Sequence, residues 1–171
     1  IYYEAATESD AGKAAVAQVI LNRMKHPAYP NTVCGVIYQG SARPGCQFSF
    51  ACDGSMRRPP VPALWRRSAE IARAALSGHV EVSVGMATHY HANYVLPRWA
   101  PKLTKIEQIG AHIFYRWPGS WGKPRACSDA YAGAEFIPAF SQLYQGGTAL
   151  AEALPGEAIA VEGVPTPDRK S

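Results

Sequence analysis

Apolar residues recur along this chain at two periods, first helical and later alternating. Between residues 11 and 25, Val16, Val19, Ile20 and Met24 fall at spacings of three and four, which predicts a helix with one apolar face. Ser9 and Asp10 precede it as candidate caps. Pro27 ends it, because the residue before a proline is pushed out of the helical region. The stretch 29–32 offers a second cap, followed by a short helix that turns Val33, Val36 and Ile37 inward and closes at Gly40. The clearest helix covers 63–77. Pro62 suits its first turn and Gly78 its end. Trp65, Ala69, Ala72 and Leu76 make one stripe of this helix, and Arg66, Arg67, Glu70 and Arg73 the opposite, solvated one.

Beyond residue 86 the period shortens. Thr88 and Tyr90 favour a strand, on which His89 and His91 share a face. Residues 102–109 read as a short helical turn, and 112–115 as a second strand pairing back on the first. Between the helices, residues 45–54 hold two cysteines, two phenylalanines and a closing Asp53-Gly54, which predicts a constrained loop or short hairpin. Gln47 and Ser49 alternate there with Phe48 and Phe50, a polar side against an aromatic one, which suits either a sugar-binding surface or a disulfide-braced hairpin whose phenylalanines are core. From Pro118 onward Gly, Pro and Ala are frequent and periodicity is weak. We expect one domain over 1–117 and an extension over 118–171 that is partly ordered at most, ending in a loose tail over 150–171.

Composition narrows the class. With 47% hydrophobic and 18% charged residues the chain is globular, and no apolar run is long enough to span a membrane. A net charge of +4 is too scattered for a nucleic-acid stripe and is compatible with an anionic polymer such as cell wall. The chain opens in what reads as the middle of a structured element, so we expect an upstream segment.

Two patterns carry chemistry. Glu4 is a carboxylate set among Tyr2, Tyr3, Ala5 and Ala6. Apolar surroundings disfavour its charged form, and a general acid needs that to hold its proton near neutral pH. His89 and His91 form an H-x-H pair that, with His26 or His112, would be the basis of a zinc site. No third ligand stands at a characteristic spacing, so we expect no metal and no other cofactor. Cys34, Cys46, Cys52 and Cys127 allow three complete pairings. Three of them crowd into nineteen positions, which points to at least one disulfide and an oxidising compartment, periplasmic or extracellular.

The segments Tyr3-Glu4-Ala5, Glu8, Gly12, 16–23, His26-Pro27, 29–33, 35–39, Gln47-Phe48, Asp53-Gly54, 88–93 and 109–114 resemble, in order and spacing, the SleB/CwlJ-type cell wall hydrolases. That family is best known for spore-cortex-lytic enzymes. The resemblance implies a mainly helical α+β, lysozyme-like domain that cleaves peptidoglycan glycan strands as a lytic transglycosylase, with its catalytic glutamate at Glu4. Glu8, Gln47, Phe48, Ser49, Asp53, His89, Tyr90 and Asn93 are then assigned to the sugar groove. We expect a monomer with peptidoglycan as its partner. The histidine-rich 88–93 stretch and the extra cysteines depart from the spore enzymes, which favours a general envelope hydrolase. The alternatives are a zinc-dependent N-acetylmuramoyl-L-alanine amidase using His89 and His91, and a non-catalytic wall-binding module.

Overall fold

A computed structural model describes residues 1–43 and 45–139. Four helices carry the domain: α1 (Tyr2–Ala5), α2 (Asp10–Met24), α3 (Val33–Ile37) and α4 (Pro62–Leu76). The strands β1 (His89–Ala92), β2 (Thr104–Ile109) and β3 (His112–Arg116) form an antiparallel sheet in the order β1-β3-β2. The fold is a mixed α+β domain.

Helix α2 is the centre of the molecule. Ser9 caps it through a bond from the Gly12 amide to Oγ, 3.2 Å long. The single apolar face expected of it is exceeded, since Lys13, Asn22 and Arg23 are buried alongside Val16 and Val19. Burial of such polar groups is tolerable only with partners. Asn22 Nδ2 donates to the Gly85 and Ala87 carbonyls, both at 2.8 Å, and Arg23 Nε to that of Thr88 at 2.6 Å. These bonds fasten the segment leading into β1 along the helix. Phe48, Phe50, Val84 and Phe114 complete the core against α2.

Two expectations are corrected. Residues 104–109 form β2, not a helical turn. A bulge between Lys105 and Glu107 shifts the register, so Ile106 and Ile109 both pack on the core at a spacing of three that imitates a helix. On α4 the buried residues are Ser68, Ile71 and Ala75, whereas Trp65 and Leu76 stay 46% and 66% exposed. Their stripe instead borders an apolar groove of about 440 Å³ with Tyr2, Tyr3 and Phe50.

The 45–54 stretch is a loop braced by Cys46–Cys52, with one 3-10 turn at Ser49–Ala51 and no strand. Packing continues past residue 117. Asp129 donates to the Lys25 carbonyl at 2.9 Å and Ala132 to that of Asn31 at 3.0 Å. The Glu135 carboxylate accepts from the Val33 and Cys34 amides at 2.9 and 2.7 Å. The tail expected over 150–171 lies outside the described residues.

Candidate active site

Glu4 sits on α1, a single turn whose neighbours Tyr3 and Ala5 pack into the domain. Tyr3 stacks on Phe50 of the disulfide loop, centroids 5.0 Å apart, and so closes that loop over the helix. The Glu4 residue is half-buried, and desolvation of its carboxyl raises its pKa above the ordinary 4.5. Tyr90 opposes this by donating its hydroxyl to Glu4 Oε2 at 2.7 Å, as does the charge of Arg23, while Asp53 adds to the rise. The Tyr90 ring is held edge-on by His112 at 5.0 Å and tilted against Phe114 at 5.7 Å. Burial and the adjacent Glu4 drive the Tyr90 hydroxyl well above its usual range, so it stays a donor. Glu4 is therefore a carboxyl group with one oxygen committed to a fixed partner and a raised affinity for its proton.

The other expected groove residues fall into separate settings. Glu8 Oε1 accepts from the Ala111 amide at 3.3 Å, tying the connector after α1 to the β2–β3 turn. Gly110 occupies that turn at φ +56°, and a Cβ there would stand 1.8 Å from Glu8 Oε2. Phe48 is core, with only 3% exposure. Gln47 is half-buried, and its Oε1 is enclosed with no hydrogen-bond partner. Ser49 and Asp53 are exposed on the disulfide loop, where Asp53 Oδ1 takes the Ser55 amide at 2.7 Å. Asn93 is exposed at the end of β1, its amide bonded to the Ala111 carbonyl at 2.7 Å.

His89 lies on the other face of β1 from Tyr90, as strand alternation requires. It packs among Tyr29, Trp99 and Trp117. Its Nδ1 meets Thr88 Oγ1 at 3.0 Å and its Nε2 the Tyr29 hydroxyl at 3.4 Å. Burial, with the charges of Arg23 and His26, pushes its pKa down to about 3. His91 shares that face, donating from Nδ1 to the Ala92 carbonyl at 2.8 Å and meeting the Tyr115 hydroxyl with Nε2 at 2.9 Å. Both rings are thus engaged at both nitrogens within an aromatic cluster. Among the described residues no group of three or more His, Cys, Asp or Glu is arranged to hold a metal ion.

Sequence reasoning passed over Arg23 and His112 as site residues. Arg23 continues the Val16, Val19, Ile20 series by one more helical step, so its place on the buried stripe was readable. The sequence offers His112 only as a possible metal ligand. It stands opposite Ala92 on β3 and meets the Glu4 partner edge-on. Nothing in its spacing announces that.

A family model described as Cell Wall Hydrolase matches residues 7–115. The chain belongs to the cell wall hydrolase family. A spore cortex-lytic enzyme of Halalkalibacterium halodurans is 32% identical over 114 residues, covering 67% of this chain and 32% of that protein. The spore cortex-lytic enzyme of Bacillus subtilis is 31% identical over 114 residues, covering 67% and 34%. The chain thus spans about a third of the length of these relatives. Among solved structures, the catalytic domain of the germination-specific lytic transglycosylase SleB from Bacillus anthracis superposes with a TM-score of 0.55 at 31% identity. That alignment covers 67% of this chain and 86% of the SleB domain. The family match starts past Glu4, so the reading of Glu4 stands on its geometry and its motif.

Proposed function

We propose that this chain is a peptidoglycan lytic transglycosylase, cleaving the bond between N-acetylmuramic acid and N-acetylglucosamine with Glu4 as its single general acid and base. The observation that carries the reading is the half-buried Glu4 carboxyl, one oxygen held by Tyr90 at 2.7 Å and its hold on a proton raised by desolvation. Membership of the family and the likeness to the SleB catalytic domain supply the substrate class.

In the first step the protonated Glu4 donates to the glycosidic oxygen. The bond to the anomeric carbon breaks as an oxocarbenium-like state develops. In the second step the carboxylate takes the proton of the muramic acid C6 hydroxyl, whose oxygen closes on the anomeric carbon to give a 1,6-anhydro end. Water is not activated, so a second carboxylate is not needed. Asp53 contributes negative potential, and Glu8 holds the β2–β3 turn. We assign Ser49 and Asn93, both exposed, to the sugar groove together with Gln47. Phe48 and Tyr90 support it from beneath, whereas His89, on the other face of β1, is removed from the groove.

The same reading makes the domain lysozyme-like and places it in the cell envelope, periplasmic or extracellular, working as a monomer. The disulfide fits an oxidising compartment. The amidase reading is not favoured, because His91 has no ring nitrogen free for a metal. The test is mass spectrometry of fragments released from purified peptidoglycan by the parent and by Glu4→Gln. Anhydro-muramic ends from the parent alone support the reading. Free peptides with intact glycan overturn it.

A further inference from the structure

Resting on that reading of Glu4, we propose that Arg23 is a positioning residue for the reaction: a buried guanidinium that serves as countercharge to Glu4 once the acid has given up its proton. Arg23 is only 3% exposed. Its Nε donates to the Thr88 carbonyl at 2.6 Å, and its guanidinium lies 5.3 Å from the Tyr29 ring centre and 5.5 Å from that of Phe48. Its Nη1 is enclosed without a hydrogen-bond partner. The ion pairs among the described residues belong to Arg67 with Asp10 and Glu70, so no carboxylate is paired directly with Arg23.

A buried cation in that condition is costly, and a charge that forms nearby during the reaction would offset the cost. Glu4 is such a charge. The acid step leaves it ionised in a setting that resists ionisation, and the ring-closing step needs that ionised form to persist until the C6 proton arrives. Arg23 is fixed to the Thr88 carbonyl, two residues before the Tyr90 that holds Glu4, and a cation fixed in that place answers both demands without reorganising. The Tyr29 and Phe48 rings hold the guanidinium by cation–π attraction. The Thr88 bond adds a second effect, since it anchors the backbone two residues before Tyr90.

The charges facing Glu4 come from several elements. Tyr90 acts from β1, Arg23 from α2 and Asp53 from the disulfide loop. Facing Arg23 are Glu4, Tyr90, Tyr29 and His89. Of these, Glu4 is the group that changes charge during the reaction. Burial is the larger influence on Glu4, raising its pKa, and the Arg23 charge lowers it.

The test is the pH profile of kcat/KM on purified peptidoglycan for the parent, Arg23→Gln and Arg23→Lys, with folding checked by near-UV circular dichroism. Activity needs protonated Glu4 in the free enzyme, so it falls as pH rises through the Glu4 titration. Without the guanidinium charge the carboxylate is less favoured, and that falling limb moves to higher pH. We expect a shift of about one unit for Arg23→Gln. Arg23→Lys keeps a charge but loses the fork and the stacking, and shifts the limb in the same direction by roughly half as much. If only the lysine variant folds, its upward shift is the deciding result. A folded variant that loses activity with its limb unmoved overturns the proposal and leaves Arg23 a structural residue. Glu4→Gln in the same assay separates the two claims. Should it remain active, the reading of Glu4 fails. Should it be inactive while the limb stays put in the Arg23 variants, only the role of Arg23 fails.

Discussion

Replacing Tyr90 with phenylalanine removes one hydroxyl and leaves the ring between His112 and Phe114. The lost bond to Glu4 Oε2 is 2.7 Å long and becomes charge-assisted when Glu4 ionises. Bonds to charged groups contribute about 1.5–3 kcal/mol. The hydroxyl also bonds the neutral acid, so only about half of that distinguishes the two protonation states. At about 1.4 kcal/mol per unit, the falling limb of kcat/KM should move up by about 0.5–1 pH unit. The sign follows from the donor preferring the carboxylate, so that its removal strengthens the hold of Glu4 on its proton. The rate on the acid plateau should fall roughly tenfold as the carboxyl loses its fixed orientation. Clearing of a peptidoglycan suspension, followed across pH, reads both effects. Thermal unfolding at acid pH, where Glu4 is protonated in both proteins, should differ by less than about 1 kcal/mol. A folded Tyr90→Phe protein with an unmoved limb would refute the reasoning.

Three further outcomes are expected. The raised pKa of Glu4 means that folding is opposed as pH climbs from the ordinary 4.5 through the folded value. Glu4→Gln should therefore be inactive yet melt above the parent at neutral to alkaline pH, with the gain vanishing below the ordinary carboxylate range in pH-dependent calorimetry. Gly110→Ala brings a Cβ to 1.8 Å from Glu8 Oε2 at a positive φ, and should cost about 1–3 kcal/mol in denaturant unfolding. Adding Glu8→Ala should recover part of that loss, so equal and additive costs would argue against the contact. Dialysis against a chelator should leave the release of glycan fragments unchanged, whereas loss of activity restored by zinc would revive the amidase reading.

The central helix was legible because its signals are local. Ser9 caps it, Pro27 follows it, and Val16, Val19 and Ile20 trace its inner face. The pairing of β1 with β3 was legible in the alternation of residues 88–93 and 112–115. Strand β2 was not, since its bulge places two isoleucines three apart on one side, a spacing that belongs to helices. The inner face of α4 was misjudged because Trp65, Ala69, Ala72 and Leu76 form a regular apolar stripe at helical spacing. Docking instead buries Ser68, Ile71 and Ala75, and the stripe borders the apolar groove.

At the site, Glu4 stood out by its aromatic and apolar neighbours. Tyr90 entered only through the family resemblance and as a groove residue, because it lies 86 positions away and reaches Glu4 only through the fold. His89 and His91 drew a metal hypothesis from spacing alone, while their ring nitrogens are taken by Thr88, Tyr29, Ala92 and Tyr115. A polar residue's partners are set by tertiary contacts, which a linear pattern does not carry.

The central claim is that Glu4 passes a proton from the muramic acid C6 hydroxyl and that water takes no part. Digestion of purified peptidoglycan in oxygen-18 water, followed by mass spectrometry of the new glycan ends, tests it most directly. The account predicts unlabelled 1,6-anhydro ends from the parent and none from Glu4→Gln. Reducing ends carrying oxygen-18 would show that water is the acceptor and would contradict it.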